Sequence, residues 1–133
     1  MRAFIVGLIL SAPGQLIACT TVRGPLDIPR QADAAAARAN ALGIAHYKLG
    51  EDEMGHWIVA KGYFEDAIKA DPMLAEPHYN LALTLDKLGE HTEATIHFKR
   101  AGELAQWNTT IIGSEPYRRH VTQPPNASGG AGY

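Results

Sequence analysis

The chain has 133 residues, with 12 basic and 14 acidic side chains, a net charge of −2 at neutral pH and a single cysteine. That length holds one small domain. The near-balanced charge provides no basic footprint for nucleic acid and no polybasic surface for anionic lipid, and one cysteine closes no internal disulfide.

Residues 1–18 read as a leader. Met1-Arg2 is a short positive end, "AFIVGLIL" (3–10) follows without a charge, and Pro13-Gly14 interrupts the chain before Leu16-Ile17-Ala18-Cys19. A positive start, an apolar stretch of roughly 7–15 residues and a small residue before the cut form the layout of an export signal. The stretch is too short and too broken to cross a bilayer, which takes about 20 residues. "LIAC" resembles the lipobox of bacterial lipoproteins. That resemblance implies cleavage before Cys19, acylation of its thiol (palmitate) and a lipid anchor. Thr20, in place of an aspartate, implies the outer membrane, facing the periplasm. A buried thiol in an ordinary N-terminal helix is the competing reading of Cys19. Arg2 is the only charge ahead of Cys19, so the remainder carries 11 basic and 14 acidic residues, a net charge of −3.

Residues 19–31, with Gly24, Pro25 and Pro29, read as an extended tether. At about 3.1 Å per residue it would hold a domain some 30 Å from the membrane.

Residues 32–121 are expected to form an all-α domain, because alanine is abundant and β-branched runs are rare. The segment repeats. "LGIAHYKLG" (42–50) lies over "LALTLDKLG" (81–89) at an offset of 39, matching Leu42 with Leu81, Gly43 with Ala82 and Gly50 with Gly89. "AKGYFEDAIKA" (60–70) lies over "ATIHFKRAGEL" (94–104) at an offset of 34, matching Ala60 with Ala94, Phe64 with Phe98 and Ala67 with Ala101. The first copy therefore carries five additional residues between its halves.

This pattern resembles the tetratricopeptide repeat (TPR), a helix–turn–helix unit of about 34 residues. The second copy departs from the family at Ala82, Leu85 and Gln106, and the first at His46 and within "EDEMGHWIVA". The small residues of both copies mark seams where helices approach within about 8–10 Å. Gly50 and Gly89 are expected as left-handed residues ending the first helix of each pair, and Pro72 as the start of the next helix. A helical stripe through Met54, Trp57, Ile58, Ala60, Phe64, Ala67 and Ile68 predicts a second helix over about 52–70, with Trp57 packed on it. A longer loop centred on Gly55 is the rival.

Two such repeats leave one face uncovered. "WNTTIIGSEPYRRHV" (107–121) supplies a cover. Ser114 is a suitable N-cap and Glu115-Pro116 a suitable first turn, which predicts a capping helix over 115–121 with Ile111, Ile112 and Tyr117 laid on the second repeat. Residues 122–133, rich in proline and glycine, read as a disordered tail.

No motif carries catalytic chemistry. There is no G-x-S-x-G, H-E-x-x-H, His-x₃-His or phosphate-binding glycine loop, so neither an enzyme nor a cofactor or metal site is expected. The alternative is a metal-handling or enzyme-accessory protein using His78, His91 and His97. Binding is the favoured reading. In the family, the first helices of successive repeats line a groove for protein segments. Carried over by position, that groove consists of Asn40, Ile44, Tyr47 and Lys48 from the first copy and Tyr79, Leu83, Asp86 and Lys87 from the second. The resulting expectation is a lipid-anchored adaptor for one protein or peptide partner in the bacterial envelope, without nucleic acid. A structural homodimer is the variant of this reading.

Overall fold

A computed structural model describes residues 23–122. The leader, Cys19 and residues 123–133 of the expected tail lie outside the described residues. The described chain is all helical: α1 (Ala34–Leu49), α2 (Gly55–Ala70), α3 (Ala75–Lys87), α4 (His91–Leu104), α5 (Thr109–Ile112) and α6 (Glu115–Val121). α1 pairs with α2 and α3 with α4; α2 packs on α3, and α4 carries α6. Two helix–turn–helix units and a terminal cap result.

Each helix has a local cause. Asp33 caps α1 by accepting from the N–H groups of Ala35 and Ala36 at 2.8 and 3.0 Å, and an alanine-rich run then propagates it. Ser114 caps α6 by accepting from the Tyr117 N–H at 3.3 Å, with Pro116 in the first turn. α3 is buried almost all round, from Pro77 through Leu85, as befits the central helix of a stack. The seams lie where the small residues stand. Ala60, Ala67, Ala82, Ala94 and Ala101 are fully buried beside Phe64 and Phe98. A Cβ at Gly43 would stand within 3 Å of the Phe64 ring, and one at Gly102 would collide with the Tyr117 ring.

The cap forms as expected. Ile111 is fully buried, Ile112 half-buried, and Tyr117 meets Phe98 edge-on with ring centroids 6.4 Å apart. Three local expectations need correction. Gly89 is left-handed, at φ 81°, but Gly50 is right-handed, at φ −64°. Gly50 is small because the Trp57 indole lies on its Cα. The additional residues divide between a turn over 51–54 and a modest lengthening of α2, which starts at Gly55 and not at Asp52. Pro72 lies in the turn before α3, and it is Pro77 that occupies that helix's first turn.

Candidate functional site

The residues expected to line an open groove converge, but they do not lie open. Asn40, Ile44, Tyr47, Tyr79 and Leu83 are all buried, none more than 8 % exposed. What covers the polar pair at the heart of the set is the chain's own N-terminal segment. The Asn80 side chain accepts from the Leu26 N–H at 2.6 Å and donates to the Leu26 carbonyl at 2.7 Å. Asn40 donates to the same carbonyl at 3.0 Å and accepts from Asn80 at 2.8 Å. Leu26 packs against the core. The segment around Leu26, expected as part of an extended tether, is therefore docked between α1 and α3.

This is main-chain recognition. A side-chain amide offers one acceptor and two donors, and Asn80 spends both kinds on one residue's N–H and carbonyl. Both amides are almost fully buried, so their hydrogen bonds must be made within the protein. They would hold any residue other than proline in the place of Leu26, with the apolar surface beneath them selecting its side chain.

Two of the three charged members of the set, Asp86 and Lys87, are engaged within the chain as well. Lys87 meets Glu51 at 2.7 Å and stands 5.2 Å above the Trp57 ring. Trp57 donates its indole N–H to the Tyr47 carbonyl at 3.1 Å, so it packs as expected. Asp86 is contacted by His91 at 2.8 Å, His120 at 2.9 Å and Arg119 at 3.6 Å. Lys48 is exposed. Burial, above all, disfavours ionisation of the Tyr47 and Tyr79 hydroxyls and pushes both pKa values above the usual tyrosine value. The Tyr79 hydroxyl faces Ser114 without a hydrogen bond of proper geometry.

The six histidines form three pairs across helix boundaries. His46 of α1 meets His56 of α2 at 2.9 Å between Nδ1 atoms, and His78 of α3 meets His97 of α4 at 3.1 Å. The third pair, His91 of α4 and His120 of α6, shares Asp86. The metal alternative drawn from sequence named His78, His91 and His97 as one set. The fold divides them: His78 and His97 lie together, and His91 belongs with Asp86 and His120. His78 Nε2 donates to the Pro72 carbonyl at 3.3 Å, which leaves Nδ1 to accept from His97. Burial, above all, lowers the affinity of both rings for a second proton.

Sequence reasoning missed three participants. Asn80 has Ala41 as its counterpart at the repeat offset, so comparing the copies gives it no weight. Leu26 lies in a stretch whose prolines and glycine read as linker. His120 lies 34 residues from Asp86, on the cap, with no spacing rule to join them. Comparisons with family models, with curated proteins and with solved structures find no match.

Proposed function

We propose that this chain is a lipid-anchored adaptor of the bacterial cell envelope that holds an extended segment of a protein partner between α1 and α3, for the assembly or positioning of an envelope complex. The observation that carries the reading is the double hydrogen bond from Asn80 to the backbone of Leu26, backed by Asn40. A helix pair built to pack on itself alone has no need to bury two amides on a passing strand. The paired helices with alanine and glycine seams, similar to tetratricopeptide repeats, support a peptide-holding role. The "LIAC" stretch supports the anchor. Among the described residues no helix is long and apolar enough to cross a membrane.

In this reading residues 23–28 occupy the site in the resting state and a partner segment displaces them. The probe is a fluorescent peptide of residues 22–30, added to the full chain in detergent. Leu26→Asp places a charge against the core and expels the native segment. The peptide then binds the Leu26→Asp chain about tenfold or more tightly than wild type, because the intramolecular competitor is gone. Adding Asn80→Ala to that variant abolishes the gain while far-UV circular dichroism stays helical. Equal binding, or none, by all three chains overturns the groove reading.

A further inference from the structure

We propose that Asp86, His91 and His120 form a divalent transition-metal site, best suited to Zn²⁺, that staples the capping helix α6 to the second helix pair. The inference is independent of the groove reading. Three donors from three helices meet there: Asp86 at the end of α3, His91 at the start of α4 and His120 within α6. One ligand atom from each lies within 4.8 Å of the others. Asp86 Oδ1 is 2.8 Å from His91 Nδ1 and 2.9 Å from His120 Nε2. Zinc bonds of about 2.0–2.2 Å place tetrahedral donors about 3.3 Å apart, so the two Asp86 contacts each need to open by about half an ångström. His91 has an exposed side chain, whereas His120 is 94 % buried. Three protein ligands with one side open to water is a stable arrangement for this ion.

The hydrogen-bond directions around His120 leave its Nε2 free to face a cation. The Thr95 hydroxyl has one hydrogen, and it donates to the His91 carbonyl at 2.9 Å. The same oxygen lies 3.1 Å from His120 Nδ1, so it must accept there, and Nδ1 carries the proton. Nε2 of His120 then faces the Asp86 carboxylate across 2.9 Å. Two lone pairs at 2.9 Å repel unless a proton or a metal ion stands between them. A ring N–H held by a neighbouring oxygen while the other nitrogen faces the ion is the usual support of a metal-bound histidine. The second Asp86 oxygen is 3.6 Å from Arg119, whose guanidinium also meets Glu115 at 3.4 Å. That contact leaves Oδ1 for the ion, and Glu115 offsets the added positive charge.

The test titrates Zn²⁺ and Co²⁺ into the metal-stripped full chain in detergent at neutral pH, against a chelating dye. Wild type takes up about one equivalent, its thermal midpoint rises with free Zn²⁺, and bound Co²⁺ displays the strong visible bands of four-coordination. His91→Ala, at an exposed position, keeps its helical signal but binds about tenfold or more weakly and loses the midpoint shift. Asp86→Asn behaves alike, and His56→Ala binds as wild type does. No uptake by wild type overturns the proposal. So does uptake that survives His91→Ala and Asp86→Asn, or that is lost in His56→Ala, since the ion would then belong to another histidine pair.

Discussion

The two helix pairs are built from the same repeat and end up in different surroundings. In the first, α1 buries only one stripe of its surface: Ala36, Asn40, Gly43, Ile44 and Tyr47. In the second, α3 buries nearly every residue from Ala75 to Leu85. The difference comes from neighbours. α3 has α2 on one side and α4 on the other, and α4 is itself backed by α6. α1 stands at the end of the stack, where residues around Leu26 supply a single strand of cover. An end repeat and an inner repeat can therefore share a pattern of small residues while differing in what each residue contributes.

The largest expected effect contrasts the two aromatic wedges. Phe64→Ala and Phe98→Ala both remove a fully buried ring, and each should cost about 3–5 kcal/mol. Phe98→Ala should stand at the upper end. Its ring touches Tyr79, Tyr117 and His120 with centroids 5.7, 6.4 and 5.0 Å apart, so its loss also loosens the cap. Urea unfolding followed by circular dichroism should place the Phe98→Ala midpoint below that of Phe64→Ala; the reverse order would mean that α6 adds little to the second pair.

A smaller effect separates the paired glycines. Gly89→Ala should cost about 1–2 kcal/mol because its backbone is left-handed. Gly50→Ala should cost about 1–3 kcal/mol for a steric reason, the overlap with Trp57. Trp57→Ala in the same chain should relieve the Gly50→Ala penalty and leave that of Gly89→Ala unchanged. Equal rescue of both would refute the distinction.

The mildest effect concerns pH. Burial holds His78 and His97 neutral, with proton affinities below the usual 6.5; Lys61 beside His97 and Arg100 beside His78 push the same way. The unfolded chain then binds protons more readily, so the stability of the pair is complete above about pH 6.5 and falls as pH drops from there toward the folded-state values. The double variant His78→Gln, His97→Gln should show a flatter fall in thermal midpoint between pH 7 and pH 5 than wild type. An unchanged slope would show that these rings do not govern the acid limb.

Much of the fold is legible in the chain because repetition doubles every signal. Phe64 and Phe98 announce each other, and Ser114-Glu115-Pro116 is a local capping signal that needs no partner. What is not legible depends on contacts that repetition does not encode. Gly50 resembles Gly89 by position, but Trp57, present in one copy only, gives it a different duty. Position in the repeat alone points to Asn40, yet its partner Asn80 and their shared occupant Leu26 come from unmatched positions. The metal candidate requires Asp86, His91 and His120 to meet across two turns and a cap, and only the folded path brings them together.

Leu26 lies eight residues ahead of the start of α1, one of the two helices it docks between, and that proximity sets a threshold. A segment joined by so short a linker acts at an effective concentration in the millimolar range and cannot be diluted away. Any visitor to the Asn40–Asn80 amides competes against that standing local supply, so its apparent affinity is reduced by the fraction of time the site is vacant. In the proposed peptide-holding role, weak, abundant peptides would go unanswered, and only a partner with contacts beyond those of Leu26 itself would register.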